Sequence, residues 1–373
     1  MKVGDRHYHS IWLADDGWGV EIIDQTRLPH RFEVVRLETL ADACRAISDM
    51  LVRGAPLIGA TAAYGFCLGL RRDSSDQALL QIGEQLVRCR PTAVNLRWAV
   101  ERMRLVLAPL SVEARLEAAY REAGRICEED VATNEAIGRH GVELIRQIWE
   151  EKEKKTPVHI LTHCNAGWLA TVDWGTALAP VYRAVQEGIA VHVWVDETRP
   201  RNQGAHLTAW ELAAHGIDHH LIVDNAGGHL MQHGMVDICI VGTDRTTASG
   251  DVCNKIGTYL KALAAHANNI PFYVALPGST IDWTLTDGRE IPIEERAQDE
   301  VLRVWGRGEG GDLTTVSIAP EQTLAANPAF DVTPAGLVTG LITERGICPA
   351  SREGLAGLYP EEAGLCVSGK DGD

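Results

Sequence analysis

The sequence is short of positive charge, of paired cysteines and of long apolar runs. Lysine and arginine total 35 against 51 aspartates and glutamates, a formal net charge of −16 over 373 residues. A surface that embraces nucleic acid or anionic lipid needs clustered positive charge, so neither is expected as a partner, and any phosphate bound is small and locally held. Nowhere do about 18 apolar residues run together, and the first thirty residues hold no apolar leader core, so a cytoplasmic location is expected. Nine cysteines, at positions 44, 67, 89, 127, 164, 239, 253, 348 and 366, include no C-x-x-C pair and mostly sit in apolar stretches. That scatter excludes a disulfide framework and fits reduced thiols. No repeat of 20 to 50 residues is visible, and no low-complexity tract precedes the acidic, glycine-containing C-terminal tail.

What is there is enough for a substantial core. Hydrophobic residues make up 45% of the chain and mean hydropathy is near zero, which suits two subdomains or one large α/β domain. From Ile11 to Val35 short apolar runs alternate with Asp-Asp-Gly and Leu-Pro breaks, predicting a few short strands. Leu40, Cys44, Ile47 and Leu51 then recur at helical spacing, and helices are expected over 56–70, 76–88, 93–108 and 113–148. After the charged run Glu150 to Lys155, read as a solvated helix end, β-rich runs alternate with helix-length stretches: Val158 to Thr162, Ala190 to Val195, His220 to Val223, Val236 to Val241 and Phe272 to Ala275. The expectation is an α/β protein: a mainly helical N-terminal subdomain with short leading strands (1–150), a C-terminal Rossmann-like parallel-sheet subdomain (151–350) and a tail (351–373).

Ligands of open parallel sheets gather beyond the carboxyl ends of the strands. Here those positions are polar: His163, Cys164 and Asn165; Asp196 to Arg199; Asp224 and Asn225; Gly242 to Arg245. Taken singly, such a cysteine is most often a small buried hydrophobe and such an aspartate a helix cap. Together they place thiol, carboxylate and guanidinium groups on one rim. A Cys-His hydrolase is disfavoured, because His163 and Cys164 are adjacent in an extended segment and point to opposite sides. Asp237 and His219-His220 lack any recognised metal-ligand spacing, so no metal is expected. Arg53-Gly54-Ala55-Pro56 opens a small-residue helix whose free N–H groups, with Arg53, suit a phosphate. Arg88 to Thr92 and Asn254-Lys255 are further basic elements. Gly306 to Gly311 has the wrong spacing for a dinucleotide loop and is read as a surface loop.

Several of these segments resemble, in order, the methylthioribose-1-phosphate isomerase family, related to the regulatory subunits of the eukaryotic initiation-factor exchange complex. They are D-Q-T-R-L-P from Asp24, R-G-A-P-L-I-G-A-T-A-A-Y-G from Arg53, R-P-T-A-V-N-L from Arg90, T-H-C-N-A-G from Thr162, D-E-T-R-P-R-N-Q-G-A-H-L-T-A-W-E-L from Asp196, V-G-T-D-R from Val241 and N-P-A-F-D-V-T-P from Asn327. The resemblance implies a phosphosugar aldose-ketose isomerase without a cofactor, acting in methionine salvage as a homodimer. It implies a substrate site of Arg53, Gly54, Ala55, Arg90, Gln203, Asn254 and Lys255, with Asp244 as proton donor and Cys164 as its partner. Desolvation is the effect that would keep Asp244 protonated for donation to the ring oxygen. Cys164 would act as a thiolate base or as a neutral thiol beside a shifting hydride. Ribose 1,5-bisphosphate and 5-deoxyribose 1-phosphate are the rival substrates, and a non-catalytic phosphosugar-sensing subunit is the rival role. Trp12, Trp18 and the D-Q-T-R-L-P run are expected to build an apolar pocket.

Overall fold

A computed structural model describes residues 1–91 and 93–365, so Thr92 and Cys366 lie outside the described residues. Three antiparallel strands, Ile11–Leu13, Val20–Ile23 and Val34–Leu37, lead into five helices: Leu40–Ser48, Ala55–Leu70, Asp76–Cys89, Val94–Leu107 and Val112–Glu151. The apolar spacing at 40, 44 and 47 thus does form a helix, started by a reciprocal Thr39–Asp42 capping box, and it ends at Ser48, before Leu51. The helix Ala55–Leu70 is buried on every side from Leu57 onward, which is why its residues are small or apolar rather than amphipathic.

The helix Val112–Glu151 spans both halves of the molecule. Its first part, through Ala118, Ala119, Ala123 and Ile126, joins the core of the helical half. Its second part, through Ile137, Val142 and Ile145, packs with Val158, Ile160, Val181 and Ile342 on one face of the large sheet. The opposite face buries Leu161, Val241, Phe272 and Val274 with Ala262 and Ala265. Strand residues 160 and 161 point to opposite faces, as the pleat requires, and both are fully buried.

That sheet runs in the order Gly346–Cys348, Gly340–Thr343, Phe272–Ala275, Ile238–Val241, Val158–Thr162, Val191–Asp196, His219–Ile222; only Gly346–Cys348 is antiparallel. In chain order the strands lie 3-2-1-4-5-6-7. The connections therefore reverse direction between Val158–Thr162 and Ile238–Val241, and that switch point opens a crevice at the carboxyl ends of those two strands. A second sheet, Ile281–Asp282, Arg245–Thr247, Val252–Lys255 and Phe330–Thr333, grows from the end of Ile238–Val241.

One expectation changes. Gly306 and Arg307 end a strand, Arg303–Arg307, paired with Leu313–Ser317, so only the tip of the glycine-rich segment is a loop. Within the tail, for which no element is predicted, residues 352–358 and 360–365 are helical, and Leu355 and Tyr359 are buried.

The carboxyl of Asp130, on the long helix, accepts the Val172 N–H at 2.7 Å. Burial, reinforced by the Asp173 carboxylate, pushes it up to about 7 against the lowering effect of that hydrogen bond. A proton held more tightly in the folded chain stabilises it below the unfolded carboxyl range, and this contribution is lost as pH rises through 7. Denaturant unfolding should therefore show stability falling from about pH 4 to about pH 7, by at most roughly 1.4 kcal/mol per pH unit, and level above that. Asp130→Asn should flatten that slope.

Candidate functional site

The crevice is built from residues in uncommon backbone conformations. Cys164, two residues beyond the first strand of the large sheet, has φ 65°, and so does Thr198 beyond the second; Asn202 has φ 52°. For a β-branched threonine the left-handed region is costly, so the surroundings must impose it. They do. Asp224, beyond the third strand, accepts from the N–H groups of Thr198 at 2.7 Å and Arg199 at 2.8 Å. Thr198 Oγ1 then accepts the Cys164 N–H at 2.8 Å, and Thr208 Oγ1 donates to the Cys164 carbonyl at 2.7 Å. The thiol of Cys164 is aimed at Gln203 Oε1, 3.5 Å away. Gln203 is fixed by the π-helical turn Gly204–Thr208 that follows it, where a side chain on Gly204 would collide with the Asp196 carbonyl at 1.7 Å.

Arg53 approaches the same place from the helical half. Its guanidinium donates to Asn165 Oδ1 and, at 2.7 Å, to the Asn165 carbonyl. Asn165 donates onward to Glu211 Oε1 at 2.9 Å. Glu211 is fully buried and also accepts from Trp168 N–H (2.9 Å), Leu169 N–H (3.1 Å) and the Tyr182 hydroxyl (2.7 Å). Gly54 has φ 94°, and a Cβ there would sit 2.3 Å from the Ala170 carbonyl, so this helix start requires glycine.

Asp244 stands where the main sheet passes into the smaller one, its N–H donating to the Cys253 carbonyl at 3.0 Å. The pairing of Arg245 with Cys253 sets Asn254 opposite Asp244. Asn254 donates to Thr258 Oγ1 at 3.0 Å, and buried Lys255 donates to the Ala329 carbonyl at 2.8 Å with its ammonium 4.6 Å from the Phe330 ring centre. Burial pushes the Cys164 thiol up, although Arg53 and Lys255 pull it down; Asp244 adds to the rise. Burial lowers Lys255, opposed by Cys164 and Asp244. Thiol, carboxylate and two cations thus share one electrostatic neighbourhood.

The residues singled out from sequence fall into three groups. Arg53 and Gln203 line an open cleft of about 470 Å³, together with Gln25, Thr26, Arg27, Leu28, Met50, His206, Leu207 and Trp305. Ala55, Arg90 and Asp244 line a second, smaller cavity with Arg245, Cys253 and Phe330. Cys164, Gly54, Asn254 and Lys255 line neither. The D-Q-T-R-L-P run reaches the cleft as expected, but Trp12 and Trp18 do not: Trp12 donates to Glu21 and packs on Tyr8, and Trp18 lies under Arg36 and Arg71. His163 is turned away from the thiol. Its Nδ1 lies 2.9 Å from Asp196 Oδ2 and its Nε2 2.8 Å from the Ile256 carbonyl. Asn165 and Thr198 were named only as polar positions on the rim, and Thr208 and Glu211 not at all, although all four stand inside the quoted motifs. Trp305, brought in by the hairpin, had no signal of its own.

The raised Cys164 thiol should react with iodoacetamide slowly at neutral pH and faster only above the ordinary thiol range. Cys89, lowered by its side-chain hydrogen bond to Cys44, should label first; peptide mass mapping against pH checks both. Rapid labelling of Cys164 at pH 7 would contradict this electrostatic reading.

Residues 51–350 match the model of the initiation factor 2 subunit family. The chain is 64% identical to the methylthioribose-1-phosphate isomerase of Brucella anthropi, over 97% of this chain and 100% of that one. Among solved structures it is similar to 5-methylthioribose 1-phosphate isomerase from Pyrococcus horikoshii (TM-score 0.81, 38% identity, 95% of this chain and 97% of that one). It is also similar to a protein from A. fulgidus described as translation initiation factor eIF-2B, subunit delta (TM-score 0.78, 41% identity, 95% and 100%). The chain belongs to the initiation factor 2 subunit family and, within it, to the methylthioribose-1-phosphate isomerases.

Proposed function

We propose that this chain converts 5-methylthioribose 1-phosphate to 5-methylthioribulose 1-phosphate in methionine salvage, with Cys164 and Asp244 acting on the sugar from the two sides of the switch-point crevice. The observation that carries the reading is their position, beyond the carboxyl ends of Val158–Thr162 and Ile238–Val241. The phosphate is held by the free N–H groups at the start of Ala55–Leu70 with Arg53, Arg90 and Lys255. Two of the five N–H donors of Arg53 go to Asn165, which leaves three for a ligand. The Nε of Arg90 is buried without a hydrogen-bond partner, a donor that an anion would satisfy.

The substituent on C5 extends into the larger cleft. Leu28, Met50, Leu207 and Trp305 supply apolar wall there. Apart from Arg53, whose partner is Asn165, the cleft's arginines already face carboxylates: Arg27 lies 3.6 Å from Asp24, Arg201 2.8 Å from Glu300 and Arg303 4.0 Å from Asp299. That favours a methylthio group over a second phosphate.

Because the anomeric oxygen carries phosphate, the ring cannot open by itself. Asp244 donates a proton to the ring oxygen, which breaks the bond to C1 and leaves C1 cationic. A hydride then moves from C2 to C1, and the proton released from the 2-hydroxyl as the ketone forms restores the acid. A thiol held neutral by burial supports this route over proton abstraction, and a phosphate dianion nearby adds to the same effect.

A cytoplasmic homodimer completes the reading. Eight free cysteines among the described residues fit a reducing compartment, and no described helix is long and apolar enough to cross a membrane. Tyr259, Leu260 and Leu263 are exposed on helix Thr258–Ala267, an apolar strip that a second copy would cover.

Turnover of methylthioribose 1-phosphate, 5-deoxyribose 1-phosphate and ribose 1,5-bisphosphate should be compared side by side. The first is expected to be fastest. Cys164→Ser and Asp244→Asn should each lower its kcat by at least about 10³-fold with binding retained. In deuterated water the product should carry no solvent deuterium at C1, and substantial incorporation would exclude the hydride shift. Binding without turnover of any of the three would identify a sensing subunit instead.

A further inference from the structure

The fold brings together three side chains of metal-ligating type, a close histidine pair and an aspartate more than 160 residues further on. His7 and His9, two residues apart near the start of the chain, turn Nε2 toward one carboxylate oxygen, Oδ2 of Asp173. The separations are 3.0 Å and 3.6 Å, and the three ligand atoms all lie within 4.8 Å of one another. An ion bound through bonds of about 2.1 Å spaces adjacent ligands by roughly 3.0 Å in an octahedron and roughly 3.4 Å in a tetrahedron. The observed separations fall on that scale.

The carboxylate is fixed before any ion arrives. Asp173 is buried, and its Oδ1 accepts the Trp174 N–H at 2.8 Å and contacts the Met1 amino group at 3.0 Å. The Met1 amino group also lies 3.1 Å from His7 Nε2. Oδ2 is left to the two imidazoles, whose rings meet edge to face with centres 5.3 Å apart. His7 is 62% exposed and His9 41% exposed, so the cluster is open to ions in solution. Among the described residues a second grouping of this kind, His163, Asp196 and Asp224, has both ring nitrogens of the buried His163 engaged and Lys261 Nζ 3.1 Å from Asp196, whereas at the first an ion has to displace only the Met1 amino group from His7 and leaves that group its contact with Asp173 Oδ1.

We propose that His7, His9 and Asp173 form a divalent transition-metal site that takes Zn²⁺, with the remaining coordination open to water. Two imidazoles and one carboxylate suit zinc and its first-row neighbours and are a poor set for Mg²⁺ or Ca²⁺, which take oxygen ligands. The ion would tie the leading segment to the loop after Ala170, where Ser10 N–H already donates to the Val172 carbonyl at 3.0 Å. That loop backs the Gly54 helix start through Ala170. The site is structural, so it stands apart from the catalytic reading.

Untagged full-length protein, stripped with a chelator, should be titrated with Co²⁺ and then Zn²⁺. We expect one ion per chain, visible cobalt bands of nitrogen and oxygen ligation with no thiolate band, and a Tm raised by a few degrees at saturating Zn²⁺. Replacing both histidines, His7→Ala with His9→Ala, should weaken binding at least about tenfold and remove the Tm rise. Both side chains face solvent, so the fold is expected to survive the change, which far-ultraviolet circular dichroism checks. Unaltered affinity in the double variant, a thiolate-to-cobalt band that places the ion on cysteine, or no bound ion would each overturn the proposal.

Discussion

The carboxylate of Glu211 is the joint on which the site depends. It is fully buried, which pushes its pKa up, and a buried carboxylate keeps its charge only where hydrogen bonds replace hydration. Four donors do so: two backbone N–H groups of the loop after the first sheet strand, the Asn165 amide and the Tyr182 hydroxyl. Through Asn165 the carboxylate reaches Arg53, and through Arg53 the helical half. One acid on a helix after the second strand therefore fixes the loop of the first strand and, through Arg53, the start of helix Ala55–Leu70 together.

A second constraint is topological. Reversal of strand order between Val158–Thr162 and Ile238–Val241 leaves a crevice that no connecting helix covers. Cys164 and Asp244 stand on its two sides because each follows one of those strands within three residues. The left-handed conformations at Cys164 and Thr198 turn the loops into that crevice, and the hydrogen bonds accepted by Thr198 and Asp224 and donated by Thr208 offset their strain.

Much of this was legible in the sequence, for reasons that also explain the rest. The helices from Leu40 to Glu151 announce themselves by apolar spacing, and the parallel strands by short β-branched runs between polar ends. The strand end at Thr162 could be read to the residue because a buried strand is apolar until it reaches the rim. By contrast, Arg245–Thr247 is short and polar, and Arg303–Arg307 pairs only with its neighbour, so neither carries the alternation that marks a half-buried strand. Trp12 and Trp18 were expected at the ligand and instead serve the outer wall, since a tryptophan's size says that it is packed, not where. The bond of Arg53 to Asn165 and the approach of His7 and His9 to Asp173 join residues more than a hundred positions apart. Spacing cannot show such contacts.

The central claim is that Arg53 works through the loop that Glu211 holds. A double-mutant cycle on kcat/KM with Glu211→Gln and Arg53→Ala measures that coupling directly. If the carboxylate acts by placing Arg53, the double variant should be little worse than Arg53→Ala alone. Losses that simply multiply would show that the two side chains act independently, and would contradict the account.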